Sequence, residues 1–423
     1  MNSETSTPFV KELACVRCER TYRERTGLYH CPECGVEGVL DVVFDYGAIG
    51  RVLTRQSLSA DRSTTHWRYR PLIPLPADCR LPSLAVGGTP VYRRPELAAA
   101  LGLGELWIKD DGLNPTGSLK DRASSVAVAR ALAENAAVAT TSSTGNAASS
   151  LAGNAASAGL RSVIFVPRHA PQGKVAQLRI FGSDVFVVEG RYEDAFTLSM
   201  KCVEEFGWYN RNCAINPYLV EGKKTVSLEL CEQLQWSPPD FVFYAVGDGC
   251  SVYATWKGFW ECRELGLTSR VPRIIGVQAE GAAPIWRAWR DKRDVQSEEP
   301  ATLADSIAVG TPRNWRKAIR AVTASDGWFM TVSDDEILNA MRRLGRETGV
   351  FGEPAGVAGF AGLLKAVREC ALPRGATVAV IVSGNGLKDI VSALKAAGDA
   401  PRVPPDFNAV REQLAALNEQ ADR

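Results

Sequence analysis

Short apolar runs alternate with helix-forming stretches through most of this 423-residue chain. The run "ELWIKDD" precedes "SLKDRASSVAVARALAE", and "AVATTS" precedes "NAASSLAGNAASAG". Continuous apolar runs of this length are typical of strands that are buried on both faces. Strand–helix alternation at this spacing predicts parallel sheets with covering helices, so the fold class is α/β.

The same alternation continues along the chain, and its length requires more than one core. Five more runs are predicted strands that lead into a helix or loop: "RSVIFVP", "DVFVVEG", "FVFYAVG", "RIIGVQAEG" and "ATVAVIVSG". A chain of this length is expected to form two or three domains. The Pro- and Arg-rich stretch 46–85 predicts an extended surface linker, and the residues from about Pro404 predict a surface helix.

Charge and hydropathy exclude two classes of partner. The 49 basic and 48 acidic residues give a net charge of +1, which offers no basis for binding nucleic acid or an anionic membrane. No apolar run approaches the roughly 20 residues that span a bilayer. The stretch "MNSETSTPFV" lacks the charged and apolar regions of a secretory signal, so we expect a cytoplasmic protein.

Four of the eleven cysteines form a spaced cluster at Cys15, Cys18, Cys31 and Cys34. The spacing is C-x2-C, twelve residues, C-x2-C, and two such knuckles supply four sulfurs for a closed tetrahedral zinc site. A segment this short cannot bury a hydrophobic core, so metal binding would supply the folding free energy that a core normally provides. A metal-free ribbon and a redox pair remain alternatives. With four protein ligands, the zinc would be structural.

Three predicted strand-to-helix loops carry unusual chemistry, and parallel sheets bind ligands at such loops. The first is "NPTGSLKDRAS", which places Lys120 among small turn residues at the start of a helix. The second is "TSSTGNAASS", where hydroxyls and a helix N-terminus would suit a carboxylate. The third is "VGDGCSVYATWKGF", where Gly247 and Gly249 would let successive N–H groups face one oxyanion.

Each loop alone is more often structural than catalytic, and most lysines in such a position are solvated. The third loop lacks the spacing of a P-loop and the third glycine of a dinucleotide fingerprint, which argues against an NAD enzyme. A fourth loop, "IVSGNGLKD", ends a strand with Ser383. Together, a lysine nucleophile, a carboxylate site, a phosphate cup and a hydroxyl are what an amino-acid enzyme using pyridoxal phosphate requires.

From about Trp67 to about Ala396 the chain resembles the threonine synthase branch of fold type II, tryptophan synthase β-like, pyridoxal-phosphate enzymes. Some members of that branch also carry an N-terminal four-cysteine ribbon. The ordered stretches that carry the resemblance are "GGTP" at 87–90, "NPTGSLKDR" at 114–122, "STGNAAS" at 143–149, "INPYLVEGKKT" at 215–225, "VGDGCSVYATWKGF" at 246–259, "GVQAEGAAPI" at 276–285, "EPAGVAG" at 353–359 and "SGNGLKD" at 383–389.

The resemblance implies roles at the matching positions. Lys120 would form the Schiff base with the cofactor and shuttle protons, and Ser383 would face the pyridine nitrogen. Asn146 would bond the 3′ oxygen of the cofactor and lie beside the substrate. The phosphate cup would be Gly247, Asp248, Gly249, Cys250 and Ser251. The other substrate contacts would be Ser143, Thr144, Ala147, Arg191 and Asn216.

The sequence departs from the branch where the substrate phosphate would bind. The usual stretch "GNFDDALR" reads "GRYEDAFT" here, so Arg191 replaces an Asn and Thr197 replaces an Arg. Ala147 stands where a Thr is usual, and "GDGCS" replaces "GNAGN". The Asp248 carboxylate would oppose a phosphate unless it points away or pairs with a cation.

The resemblance implies an α/β fold with two three-layer domains, parallel sheets and a small four-cysteine ribbon at the N-terminus. We expect a zinc ribbon at 1–45, a large cofactor domain at 46–115 and 206–400, a mobile small domain at 116–205 and a tail at 401–423. The implied enzyme is a homodimeric carbon–oxygen lyase with structural zinc, converting O-phosphohomoserine and water to threonine and phosphate. Alternatives are β-replacement on a phosphoserine-type substrate, as in cysteate synthase-like relatives, a hydroxy amino acid ammonia-lyase, and a scaffold without catalysis.

Overall fold

The computed structural model of the chain describes residues 7–143, 145–168, 170, 172–190 and 192–421. The described residues form fourteen strands in three sheets. The strands are β1 Val10–Cys15, β2 Thr21–Tyr22, β3 His30–Cys31, β4 Gly35–Phe44, β5 Val91–Arg93, β6 Glu105–Asp110, β7 Val138–Ser142, β8 Arg161–Pro167, β9 Asp184–Val188, β10 Tyr209–Asn210, β11 Phe241–Ala245, β12 Arg273–Ala279, β13 Trp328–Val332 and β14 Thr377–Val382.

Helices connect and cover these strands. The α-helices of the described residues are α1 Tyr46–Gly50, α2 Arg55–Ala60, α3 Pro95–Ala100, α4 Lys120–Ala133, α5 Asn146–Ala158, α6 Gln172–Ile180, α7 Tyr192–Phe206, α8 Tyr218–Lys223, α9 Thr225–Gln233, α10 Cys250–Glu264, α11 Pro284–Asp291, α12 Trp315–Ala324, α13 Asp334–Thr348, α14 Pro354–Arg368, α15 Ile390–Ala397 and α16 Phe407–Ala421. Short 3₁₀ helices lie at His66–Leu72, Asp111–Leu113, Glu280–Ala282, Asp305–Ile307 and Gly386–Lys388.

The larger sheet has six strands in the order β13-β12-β11-β14-β6-β5. Five of them are parallel, and only the edge strand β5 runs antiparallel to β6. Alternate residues of β11 face opposite cores: Val242 and Tyr244 pack with α10 and α12, whereas Phe243 packs with α13 and α14. Burial on both faces explains the continuous apolar runs, and it produces the predicted three layers.

The smaller sheet has four parallel strands in the order β10-β7-β8-β9. Helices α4 and α5 pack with residues such as Ala139 on one face, and α7 packs with Val138 and Phe165 on the other. Three of its strands lie within the stretch expected to form a small domain, 116–205. The fourth, β10, lies beyond that boundary.

The N-terminal ribbon is a separate antiparallel sheet in the order β2-β1-β4-β3. The ribbon packs against helices that cover the six-stranded sheet and helices that cover the four-stranded sheet. On β4, Asp41 accepts hydrogen bonds from Tyr253 Oη (2.6 Å) and Lys257 Nζ (3.2 Å) of α10. On the other side, Arg130 Nη1 of α4 donates to Glu24 Oε1 at 2.6 Å.

The prediction of an extended surface linker over 46–85 is wrong, because this stretch folds into α1, α2 and a 3₁₀ helix. Thr54 caps α2 by exchanging hydrogen bonds with Ser57, which is a capping box. The Pro and Arg content of the stretch led to the linker prediction instead. His66 is fully buried, and its Nε2 lies 3.0 Å from Ser125 Oγ. The expected helix near the C-terminus is present as α16. No helix among the described residues is long and apolar enough to cross a membrane.

Candidate active site

Lys120 is the first residue of α4, and its loop is held against the loop that follows β14. Leu119 N donates to Ser383 O, and Asn385 N donates to Gly117 O, both at 2.9 Å. Gly117 has a φ of +86°, a conformation that glycine adopts without strain. Strands β6 and β14 are neighbours in register, with Val382 opposite Asp110. The sheet therefore delivers Lys120 and Ser383 to the same edge.

Asp121 fixes the turn before Lys120. Its carboxylate accepts hydrogen bonds from Thr116 N and Thr116 Oγ1, both at 2.7 Å, and from Asn154 Nδ2 at 3.2 Å. The next residue, Arg122, is fully buried and donates to Asp111 and Glu229. The polar residues around Lys120 in "NPTGSLKDR" therefore form and stabilise the turn. The sequence analysis assigned them no such role.

The Lys120 amine is suited to act as a nucleophile. Its Nζ makes no hydrogen bond to any described residue, and the side chain is half-buried. Burial and the nearby Lys223 charge lower the pKa of Lys120 to about 8, although the Glu353 carboxylate opposes that shift. A substantial fraction of the amine is therefore neutral near physiological pH, the form that attacks an aldehyde.

Asn146 begins α5 on the smaller sheet, and it bonds to a residue of the larger unit. Its Nδ2 donates to Glu353 Oε1 at 2.6 Å. Glu353 precedes α14, and its backbone N donates to Gly384 O at 3.0 Å, beside Ser383. Burial raises the pKa of Glu353, while the Lys120 charge and the Asn146 hydrogen bond oppose the rise. Sequence reasoning quoted "EPAGVAG" but missed Glu353 as a site residue.

The loop between β11 and α10 has the shape expected of a phosphate cup. Gly249 has a φ of +94°, and a Cβ atom there would lie 2.8 Å from Asn314 O. A Cβ atom at Gly247 would lie 3.0 Å from Ile307 Cα, so a side chain at either position would require the neighbouring backbone to shift. Cys250 and Ser251 open α10, where the first N–H groups have no partner within the helix. These groups fit an oxyanion.

The Asp248 carboxylate points away from the cup. Its Oδ1 accepts from Arg313 N at 2.8 Å, and its Oδ2 accepts from Asn314 Nδ2 at 2.6 Å. Burial raises the pKa of Asp248, and these hydrogen bonds oppose the rise. Asp248 therefore fastens this loop to the segment before α12, where both of its carboxylate oxygens are engaged.

Ser383 and the loop between β7 and α5, which is expected to bind a carboxylate, lie at the same cleft as Lys120. Ser383 is 5% exposed, and its hydroxyl makes no hydrogen bond to a described residue. Ser143 Oγ accepts from Gly145 N at 3.1 Å, which shapes the entry to α5. Ala147 lies partly exposed in the first turn of α5. Two predicted substrate contacts, Thr144 and Arg191, lie outside the described residues.

Asn216, an expected substrate contact, has its side-chain amide engaged within the protein. Its Nδ2 donates to Asn210 O (2.8 Å) and Tyr209 Oη (3.1 Å), and its Oδ1 accepts from Tyr218 N (3.0 Å). The residue is 1% exposed. Asn216 thus holds the turn between β10 and α8, and a contact with substrate would require that turn to rearrange.

The four ribbon cysteines converge as the spacing predicts. Their sulfur atoms all lie within 4.8 Å of one another. Gly38 packs beneath them, where a Cβ atom would lie 2.5 Å from Cys31 Cβ and 2.6 Å from Cys34 Cβ. Four converging sulfurs are the ligand set that a closed zinc site takes.

Comparisons with known proteins agree with this geometry. Residues 82–384 match the family described as pyridoxal-phosphate dependent enzyme. The chain is 36% identical to the threonine synthase of Methanocaldococcus jannaschii, over 95% of this chain and 99% of that protein. It is 35% identical to the threonine synthase of Methanosarcina acetivorans, over 95% and 98%.

A solved structure with the same fold is diaminopropionate ammonia lyase from Escherichia coli, at 20% identity. It superimposes with a TM-score of 0.65 over 82% of this chain and 92% of that chain. The predicted α/β architecture of fold type II is confirmed.

Proposed function

The chain belongs to the family of pyridoxal-phosphate dependent enzymes, and on this premise we propose a lyase reaction of the threonine synthase type. O-phosphohomoserine and water would give threonine and phosphate. The observation that carries the proposal is the Lys120 amine, which has no hydrogen-bond partner among the described residues. It lies where the loops after β14 and before α4 meet. The threonine synthases similar to this chain over nearly its full length support the same reaction.

The residues of the cleft fit the cofactor. Pyridoxal phosphate, when bound, supplies an electron sink that makes the α carbon of an amino acid acidic. Lys120 Nζ would hold the cofactor and then carry protons to and from the substrate carbons, a role worth about 10²–10⁴ in rate. Asn146 Nδ2 donates to Glu353 and, at 3.4 Å, to Ser306 Oγ, and the hydrogen that faces Ser306 would turn to the 3′ oxygen. The first turn of α10, with Gly247, Asp248 and Gly249 before it, would hold the phosphate.

Ser383 favours elimination and replacement over transamination. Its hydroxyl would face the pyridine nitrogen, where it supplies no negative charge to keep that nitrogen protonated. The ring is then a weaker electron sink than one paired with a carboxylate. The free hydroxyl of Ser383, at the end of β14, supports this assignment.

The substrate carboxylate would bind at the start of α5. Ser143 and the N–H groups around Ala147 face that end of the helix, where an anion is favoured. Thr144 would add a hydroxyl and Arg191 a charge, both on sequence grounds alone. We leave Asn216 out of the proposed contacts because its amide is engaged within the protein.

A second candidate rests on Thr197, which replaces an Arg of the threonine synthase pattern and lies exposed on α7. A bidentate Arg–phosphate contact is worth about 1.5–3 kcal/mol, so its loss disfavours O-phosphohomoserine as the substrate. β-Replacement on a phosphoserine-type amino acid, with Arg191 binding the anion, is the first alternative. Ammonia release from a hydroxy amino acid is the second.

Closure of the smaller unit on the larger one would exclude water from the cleft. The unit would comprise about 116–205 together with β10. Three contacts already bridge the two: Asn146–Glu353, Lys388 Nζ to Ser149 Oγ (3.0 Å), and Lys174–Asp305 (2.6 Å). Structural zinc in the ribbon and a homodimer complete the proposal.

The test is a panel of amino acids given to the cofactor-loaded enzyme: phosphohomoserine, phosphoserine, acetylserine, threonine and serine. Release of phosphate, ammonia and keto acid is measured for each. Phosphate release with threonine formation from phosphohomoserine would support the first candidate. Turnover of another member alone would support the second. A protein that develops no absorbance band at the edge of the visible range with pyridoxal phosphate, or keeps it in Lys120→Ala, would contradict both.

A further inference from the structure

Two buried cations in the cleft lack the carboxylate partner that every other buried cation of the described residues has. Among the described residues, eight lysines and arginines are buried, and six of them pair with a carboxylate: Lys109, Arg122, Arg130, Lys224, Lys257 and Lys317. Arg211 and Lys223 are 1% and 2% exposed and form no such pair. A buried charge is costly unless an opposite charge compensates it.

Both cations contact the same sulfur atom. Arg211 Nη1 and Lys223 Nζ each lie 3.1 Å from Cys213 Sγ. Lys223 Nζ also lies 3.2 Å from Cys250 Sγ, so one ammonium joins two thiols that are 37 residues apart. Cys213 is partly exposed, whereas Cys250 is buried.

The pKa values of the two thiols are shifted in opposite directions. A hydrogen bond from Cys250 and the charges of Lys223 and Arg211 hold the pKa of Cys213 well below its usual range. The hydrogen bond to Cys213 and burial raise the pKa of Cys250. The contacts of Cys213 with both cations thus favour its thiolate form, and Cys250 is the less acidic thiol of the two.

We propose that Cys213 and Cys250 form a modification site for hydroperoxides, in which Cys213 attacks the peroxide and Cys250 resolves the product to a disulfide. An accessible thiolate with a neighbouring resolving thiol is the arrangement that peroxide-sensitive proteins use. The chemistry of the site does not depend on the proposed lyase reaction, and it uses no residue of the ribbon.

The chemistry balances with one peroxide. The Cys213 thiolate attacks one oxygen of hydrogen peroxide, the O–O bond breaks, and the departing hydroxide takes a proton to become water. The Cys250 sulfur, after losing its proton, attacks the sulfenic acid on Cys213. The S–S bond forms, the S–O bond breaks, and a second water leaves. The two sulfurs together lose two electrons, which reduce the peroxide.

A second pair of neighbouring thiols provides the internal control. Cys231 and Cys262 interact with each other and are fully buried. Neither accepts a hydrogen bond from a lysine or arginine among the described residues. The pair therefore also consists of two neighbouring thiols, but it lacks the contacts of Cys213 with Lys223 and Arg211 and the partial exposure of Cys213.

The experiment treats the cofactor-loaded enzyme with a small excess of hydrogen peroxide, blocks free thiols, and maps the peptides by mass spectrometry. We expect a Cys213–Cys250 cross-link that is reversed by dithiothreitol, with Cys231 and Cys262 still reduced. In Cys250→Ser, Cys213 should accumulate as a sulfenic acid that dimedone traps. In Lys223→Met, the reaction should slow by about tenfold or more because the thiolate fraction falls.

Lys292→Met, at an exposed lysine, should react like the parent. Lys223→Gln serves as a second variant if Lys223→Met does not retain the parent circular dichroism spectrum. The proposal is overturned if Cys213 and Cys250 stay reduced while the exposed Cys370 is oxidised. It is also overturned if both folded Lys223 variants react as fast as the parent.

Discussion

Asn146 Nδ2 and Glu353 Oε1 lie 2.6 Å apart and join the smaller sheet to the larger one at the edge of the cleft. Asn146 starts a helix of one unit, and Glu353 precedes a helix of the other. The bond to the buried carboxylate fixes the orientation of the Asn146 amide, whose second hydrogen faces Ser306 Oγ at 3.4 Å.

We expect Glu353→Ala to weaken binding of pyridoxal phosphate by about tenfold, equivalent to about 1.4 kcal/mol. Asn146→Ala should cost a similar amount. The double variant should lose less than the sum, because the two residues act through one hydrogen bond. The measurement is titration of the cofactor-free protein by absorbance. Glu369→Gln, at an exposed carboxylate, is the control, and strictly additive losses would show that the two residues act separately.

The lowered pKa of Lys120 predicts how cofactor loading depends on pH. Only the neutral amine attacks the aldehyde, so the loading rate should rise with pH through about 8 and level off above it. A lysine with its ordinary pKa of 10.5 would continue to accelerate beyond that point. Stopped-flow absorbance over a pH series, with a free lysine derivative as reference, makes the comparison. A profile parallel to that of the reference would contradict the shift.

Removal of metal from the ribbon should affect both stability and cofactor binding. Asp41 ties β4 to α10 through Tyr253 and Lys257, and α10 begins at the phosphate cup. We expect Cys31→Ser to lose bound zinc and to lower the melting temperature by at least about 5 °C. Metal analysis, calorimetry and cofactor titration test this, with Cys370→Ser as control. Parent protein that contains no zinc after growth in zinc would exclude the structural role.

Arg191 is expected to determine the substrate. Arg191→Ala should lower kcat/KM for the true substrate by about tenfold or more, since a charge-assisted contact is lost, and leave cofactor affinity unchanged. Steady-state kinetics beside a cofactor titration separates the two effects. Arg168→Ala, at an exposed arginine paired with Glu189, is the control. Normal kinetics in the Arg191 variant would place this residue at the surface and remove the substrate argument.

The strands and the cleft loops could be predicted because their signals are local. The apolar runs that became β6, β7, β8, β11, β12 and β14 required only burial on both faces. The sequence indicates that the loop at Gly249 must curve tightly. The φ of +94° at Gly249, which favours glycine, agrees with that prediction. The helices within 46–85 were missed because the Pro and Arg content of this stretch outweighed the cap that Thr54 forms with Ser57. The edge strand β5 was missed because three residues give no pattern.

By itself, the sequence determined the α/β class, the cysteine ribbon and the four loops that meet at the cleft, because each depends on residues adjacent in the chain. Tertiary structure alone decided that Glu353 orients Asn146, that Asp248 points away from the phosphate cup, and that Lys223 lies between Cys213 and Cys250. Those relationships join residues far apart in sequence. Charge and hydrogen bonding act over a few ångströms in space, and only the packed sheets set those distances.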